Sequence, residues 1–186
     1  MELKRLKCDV VYRGRIFDLI VDEVEYPSGN KSVREIAHHP GGAVTVPLLP
    51  YGRVIFVTQL RYPLGTHLVE LPAGKLQPGE EPAVAALREL EEETGWSARS
   101  LEPLASLYTT PGFCDEVLHI YLATELVPSP HGPRREEGEL SMTLRMIPLP
   151  DAMAMAERGE LQDAKTVAGL MLAEKRLERK KHTPGA

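Results

Sequence analysis

The 186 residues contain only two cysteines, Cys8 and Cys114. Two thiols make no disulfide framework and point to a reducing compartment. Basic charge is not in excess either, since the formal net charge is −5. Gripping a long polyanion takes a basic surface, so nucleic acid is not an expected partner. A single small anion held through metal ions remains open. No apolar run approaches the roughly 20 residues that a spanning helix needs, which argues against the membrane as a partner. The first residues, Met1-Glu2-Leu3-Lys4-Arg5-Leu6-Lys7, lack the apolar core of an export signal. The cytoplasm is therefore the expected compartment. Internal repeats and low-complexity tracts are also missing. What is present is 42% hydrophobic residues, enough to bury one core.

Strand signals dominate the first 40 residues. Cys8–Tyr12, Ile16–Tyr26 and Ser32–His38 are predicted strands, with Pro27-Ser28-Gly29-Asn30 as a turn. Their imperfect alternation suits an antiparallel meander with one wet face. After His39-Pro40-Gly41-Gly42, the apolar stretches Ala43–Leu49 and Val54–Leu60 are expected to pair as a hairpin through Pro50-Tyr51-Gly52-Arg53. Leu68–Leu71 reads as a short strand. A helix is predicted from Glu80 to Thr94. Pro82 suits its first turn, Val84, Leu87 and Leu90 (with Ala83 and Ala86) form an apolar stripe, and Gly95 forms the stop. Leu101–Tyr108, Val117–Ala123 and Leu140–Ile147 read as strands, and Asp151–Arg158 and Ala164–Arg179 as closing helices. The basic end, Lys175–Lys181, reads as a solvated helix terminus.

The chemistry concentrates on the first of these helices. Glu89, Glu92 and Glu93 are related by i, i+3 and i+4, so they share a face. Carboxylates that close repel one another and raise each other's pKa values. A hard divalent cation relieves the repulsion, and Mg²⁺ commonly bridges a few carboxylates to substrate phosphates. The bland alternative is a glutamate-rich solvated face. The setting favours a site, because the row follows a glycine-containing loop after a buried strand and ends at a glycine stop.

From Gly74 to Trp96 the chain reads GKLQPGEEPAVAALRELEEETGW. This resembles the signature of the Nudix hydrolases at Gly74, Glu80, Arg88, Glu89, Leu90, Glu92, Glu93 and Gly95. Trp96 departs from it, filling a slot where that family more often has an aliphatic residue. The resemblance implies an α+β fold, an α/β/α sandwich with a mixed central sheet between helices. It implies Glu89 and Glu93 as core metal ligands, with Glu92 contributing directly or through water. The carbonyl of Ala73 is implied as a further ligand. Glu80 and Arg88 match a salt-bridged pair that supports the loop and helix. The cofactor implied is Mg²⁺, with Mn²⁺ as a substitute.

Other segments resemble the ADP-ribose pyrophosphatase branch of that family. Pro111 stands sixteen residues beyond Gly95, followed by Phe113 and Asp115-Glu116. Similar too are Tyr12-Arg13-Gly14-Arg15-Ile16-Phe17, Arg34-Glu35, Gln59-Leu60-Arg61-Tyr62-Pro63, and the run from Gly159 to Thr166. The branch implies hydrolysis of ADP-ribose to AMP and ribose 5-phosphate. Substrate contacts are then expected at Phe17, Arg34, Arg61, Pro111 and Glu116. Phe17 is either core or a stacking surface for adenine. Arg34 and Arg61 are either surface charges or phosphate and base contacts. Pro111-Gly112 is either an ordinary turn or part of the site. His38, His39 and Cys114 read as loop or packing residues. The general base is expected in Arg134–Glu139, with Glu139 favoured and Glu137 next. Residues 1–40 resemble a β-subdomain that builds a homodimer, ahead of a hydrolase domain over 41–186. Other nucleoside diphosphate sugars or a dinucleotide cofactor are the competing substrates. A non-catalytic ADP-ribose sensor is the competing role.

Overall fold

A computed structural model describes residues 2–135 and 137–182, and the chain divides into two units. The first comprises residues 1–41 and also takes in Tyr108–Val117, a stretch that the linear division placed within 41–186. Its sheet runs in the order β1 (Lys4–Arg13), β2 (Asp18–Glu25), β3 (Lys31–His38), with both pairs antiparallel. The expected turn forms at Pro27–Asn30. Gly29 takes φ 84° and donates to the Tyr26 carbonyl at 2.8 Å. β2 starts later than the apolar run at Ile16, because Asp18 accepts the Gly14 N–H at 3.2 Å and ties a bend there. The 108–117 segment is fastened to the end of β3. The Ala37 N–H donates to the Phe113 carbonyl at 2.8 Å, and His38 Nδ1 meets Asp115 Oδ2 at 2.5 Å.

The second unit holds two sheets and three helices. One sheet has the order β7 (Ala73–Lys75), β4 (Gly42–Pro47), β9 (Val117–Pro128), β8 (Trp96–Tyr108). β4 is antiparallel to β7 and parallel to β9, so the sheet is mixed. The other sheet is antiparallel in the order β10 (Thr143–Pro148), β5 (Arg53–Arg61), β6 (Thr66–Glu70). The helices are α1 (Pro82–Thr94), α2 (Leu149–Glu157) and α3 (Ala164–His182).

The expected hairpin between residues 43–49 and 54–60 does not form. Only Leu48 and Val54 bridge, and the two strands then part into different sheets. Pro47 has no N–H to carry the ladder onward. Every residue of β4 is buried, as befits a strand covered on both faces and paired along both edges. Its alternate side chains face opposite layers. Ala43 packs with Ala85 and Ala86 of α1, and Thr45 Oγ1 donates to the Ala86 carbonyl at 3.1 Å. Val44 and Val46 join Phe56, Leu71, Ile120, Leu122 and Leu170 of α3 in the main core. The central strand therefore lies between helices, as the α/β/α expectation requires.

The buried face of α1 meets the predicted stripe at Ala86 and Leu90 but departs from it at Val84. Ala85, Ala86 and Leu90 are buried, whereas Val84 is 57% exposed. Small alanines let the helix approach β4 closely, and bulk was a poor guide to which face is inside. The predicted strand from Leu140 also starts late. Glu137–Glu139 form a helical turn, Leu140 is exposed, and pairing begins at Thr143 opposite Thr58. The basic end of α3 is only partly solvated, since Arg176 and Lys180 both pair with Glu102 of β8. No helix among the described residues is long and apolar enough to cross a membrane.

Candidate active site

The acidic row lies on the second half of α1. Pro82 opens the helix, and Gly95 closes it at φ 73° with its N–H on the Glu91 carbonyl. That left-handed conformation is one that glycine adopts without strain.

Arg88 organises the row. Its Nε and Nη2 grip the two oxygens of Glu80, both at 2.8 Å. Its Nη1 reaches Glu89 Oε1 at 2.6 Å and Glu92 Oε2 at 3.0 Å. The Lys75 carbonyl also accepts from Nη2, at 3.2 Å. Glu80 therefore stays ionised, with its carboxyl lowered to about 2, chiefly by the Arg88 hydrogen bonds. The implied pair exists, and one guanidinium binds the loop, the helix and two candidate ligands together.

Glu93 points inward and is 2% exposed. Its Oε2 accepts the Ala73 N–H at 3.1 Å, which brings the last turn of α1 onto β7. Burial pushes its pKa up to about 8, with the charges of Glu89 and Glu139 adding to the effect. Burial likewise raises Glu89, despite the neighbouring Arg88. Gly74 leaves room for the Glu89 carboxylate, since a Cβ there would lie 2.0 Å from Glu89 Cδ.

A loop after β9 is wired to the same helix end. The Ser129 N–H donates to the Gly95 carbonyl and the Arg134 N–H to the Glu92 carbonyl, both at 2.8 Å. Arg135 Nε donates to the Glu93 carbonyl at 2.9 Å, and its Nη1 donates to the Met142 carbonyl. These contacts hold the turn that carries Glu137 and Glu139. Glu139 is half-buried and its charge acts on both Glu89 and Glu93, whereas Glu137 is exposed.

The remaining expected contacts fall in two places. Arg61 ends β5 in the second unit, where its guanidinium holds buried Glu70 in two hydrogen bonds at 2.7 and 2.5 Å. Phe17, Arg34, Pro111 and Glu116 belong to the first unit. Phe17 is 41% exposed, with Tyr12 beside it at 6.5 Å between ring centroids. Arg34 lies over the Tyr26 ring at 5.7 Å and also bonds the Tyr26 hydroxyl. Pro111 sits in a turn closed by the Cys114 N–H on the Thr110 carbonyl at 2.9 Å. Glu116 accepts from Thr109 Oγ1 at 2.8 Å. Sequence reasoning gave no role to Glu70, or to Lys165 and Arg135 within the segments it singled out. A glutamate inside the apolar run Leu68-Val69-Glu70-Leu71 was the one available signal for Glu70.

Hard oxygen donors, two carboxyls raised by burial and a cradle that any Cβ at Gly74 would fill together fit a divalent cation. Among the described residues, no three acidic, histidine or cysteine side chains form a finished coordination shell. Arg88 supplies the counter-charge to Glu89 and Glu92 instead. Residues 38–170 match the family model described as the NUDIX domain. The chain belongs to the Nudix family. An ADP-ribose pyrophosphatase of Bacillus subtilis (strain 168) is 42% identical over 166 residues, which cover 89% of each chain. A methanol dehydrogenase activator of Bacillus methanolicus is 40% identical over the same share of each. An ADP-ribose pyrophosphatase of Mycobacterium tuberculosis (strain ATCC 25618 / H37Rv) is 35% identical over 91% of this chain and 82% of its own. The fold is shared with a crystal structure of an ADP compounds hydrolase, at a TM-score of 0.84, 98% coverage of both chains and 23% identity. Nudix hydrolases generally use divalent metal ions, and the acidic row suits that chemistry.

Two outcomes are expected. Gly74→Ala displaces the Glu89 carboxylate, the far end of a flexible side chain, and leaves the fold in place. The variant should melt near the wild type yet lose most divalent-cation binding, as read by thermal unfolding and isothermal titration. Glu93 titrates near 8 when folded, against 4.5 for an ordinary glutamate. The unfolded chain thus loses this proton first, and the contribution of Glu93 to stability falls as pH rises from about 4.5 to 8. Metal-free melting temperatures should decline across that window, added Mg²⁺ should restore them most at pH 8, and Glu93→Gln should flatten the decline.

Proposed function

We propose that this Nudix protein hydrolyses the diphosphate linkage of ADP-ribose, giving AMP and ribose 5-phosphate, with Mg²⁺ as the working ion and Mn²⁺ as a substitute. The observation that carries this reading is the complete row of Glu89, Glu92 and Glu93 around Arg88, with the Glu139 charge acting on it. The names of the Bacillus subtilis and Mycobacterium tuberculosis relatives support the choice of substrate.

Glu89 and Glu93, with Glu92 and the Ala73 carbonyl, would hold the metal. When bound, it neutralises phosphate charge and lowers the pKa of a water. Arg88 keeps Glu89 and Glu92 oriented while Glu80 anchors Arg88 to the loop. Glu139 accepts the proton of the attacking water. The water oxygen bonds to one phosphorus, the bridging P–O bond breaks, and the other phosphate leaves with its sugar. Arg61 steadies a phosphate. Glu139 is preferred over Glu137 because it is half-buried and acts on the row, while Glu137 is exposed.

The first unit supports a homodimer reading. Val11 is 57%, Tyr12 57%, Ile16 58% and Val33 53% exposed, more bare apolar surface than a small sheet leaves to water without a partner. We infer that a second copy covers these residues, with Phe17 and Arg34 contributing to an adenosine pocket. Cys8 and Cys114 are free thiols, which fits the cytoplasm.

Product analysis with Mg²⁺ against ADP-ribose, other nucleoside diphosphate sugars, dinucleotide cofactors and nucleoside triphosphates tests the substrate. Preference for ADP-ribose with AMP as product is expected. Preference for a dinucleotide or another sugar would refute that choice of substrate, and tight ADP-ribose binding without turnover would favour a sensor. In the same assay Glu139→Gln should lower kcat by about 100-fold or more with little change in KM. An unchanged kcat removes Glu139 as the base. Light scattering at micromolar concentration should give twice the 20.6 kDa chain mass, and Val11→Asp should halve it. A wild-type monomer would refute the dimer.

A further inference from the structure

Glu70 ends β6 with none of its surface exposed. Burial alone would keep such a carboxyl neutral, yet Arg61 and Lys165 outweigh it and hold its pKa below the ordinary value. Arg61 Nε and Nη2 donate to the two Glu70 oxygens at 2.7 and 2.5 Å. Lys165 Nζ donates to Glu70 Oε2 and, at 2.9 Å, to Asp163 Oδ2. Asp163 in turn caps α3 by accepting the Thr166 N–H at 3.0 Å, and Thr166 Oγ1 accepts the Leu71 N–H at 2.8 Å.

Apolar residues of similar volume would commonly stabilise such a buried spot as well or better. The network therefore asks for a reason other than stability, and its location offers one. Arg61 feels the charge of Glu93, and Lys165 acts on Glu93. Glu70 also stands three residues before Ala73, whose N–H holds Glu93 Oε2, so its cations gather near the inner end of the acidic row. Two parallel hydrogen bonds fix the plane of a guanidinium, which an otherwise flexible arginine does not keep unaided. Arg61 is 40% exposed, and its third nitrogen, Nη1, bonds no described residue. Glu70 thereby leaves one N–H edge of Arg61 pointing in a set direction.

We propose that Glu70 and Lys165 are positioning residues for substrate binding. Lys165 holds Glu70, and Glu70 aims the remaining edge of Arg61 at a phosphate of the nucleoside diphosphate. This rests on the reading of Arg61 as a phosphate contact. Neither Glu70 nor Lys165 touches the substrate, and neither takes part in the proton transfer.

Steady-state kinetics of Arg61→Met, Glu70→Gln, Lys165→Met, Lys165→Arg and the Arg61→Met/Glu70→Gln double variant test it, together with Mn²⁺ affinity by electron paramagnetic resonance. Arg61→Met should raise KM. Glu70→Gln should raise KM by about ten-fold with kcat and Mn²⁺ affinity nearly unchanged, the loss of roughly one charge-assisted hydrogen bond. In the Arg61→Met background Glu70→Gln should add nothing, because its effect acts through that arginine. Lys165→Met should raise KM and Lys165→Arg should restore it, which keeps the test open if Glu70→Gln does not fold. The proposal is overturned if Arg61→Met raises KM while neither Glu70→Gln nor Lys165→Met does. It is equally overturned if the Glu70 and Arg61 effects add in full, or if kcat and Mn²⁺ affinity fall together. A wild-type KM in Arg61→Met would instead defeat the Arg61 reading on which it rests.

Discussion

A row of glutamates on one helix face is unstable by itself, and the guanidinium of Arg88 makes it tolerable here. It reaches Glu80, Glu89, Glu92 and the Lys75 carbonyl, so one side chain gathers three carboxylates and a strand end. Much else follows from that. The loop before α1 is drawn onto the helix because Glu80 is bound. The Gln77 N–H then finds its acceptor in Glu80 at 2.9 Å. Glu93 is left facing inward without an arginine of its own, and its buried carboxyl is the one raised furthest. The asymmetry between an outer pair held by Arg88 and an inner carboxyl without a direct cationic partner among the described residues is what makes a cation attractive at this place.

The chemistry of α1 was legible in the sequence because it depends on local spacing. The i, i+3, i+4 relation of Glu89, Glu92 and Glu93 puts them on one face whatever surrounds the helix. Gly95 as the stop and Gly29 in its turn were legible for the same reason. Strand pairing was not. Residues 43–49 and 54–60 are close in sequence and separated by turn residues, so local reasoning joined them. The burial of β4 on both faces, and hence its need for β7 and β9 as neighbours, is a property of the whole sheet. The inner face of α1 was misread at Val84 and Ala85 because close helix-to-strand approach rewards small side chains.

Glu70 shows a different limit. Alone it is a charged residue in an apolar run, and its partners Arg61 and Lys165 lie nine and 95 residues away. Nothing local announces that Arg61 and Lys165 will converge on one buried carboxylate. The same holds for Arg135, whose two carbonyl acceptors belong to α1 and to the residue just before β10. These contacts link a site whose parts were individually visible, and the linkage itself was not.

The wiring of the loop after β9 has a mechanical meaning for α1. The final turn of a helix carries unsatisfied carbonyls and is ordinarily the first part to fray. Glu92 and Glu93 sit on that turn, an unpromising place for groups that must hold still. Here the carbonyls of Glu92, Glu93 and Gly95 are taken by Arg134, Arg135 and Ser129. Unwinding the turn would therefore mean dislodging the segment that bears Glu139. The acidic row and its neighbouring carboxylate form one cooperative unit, ordered together or lost together.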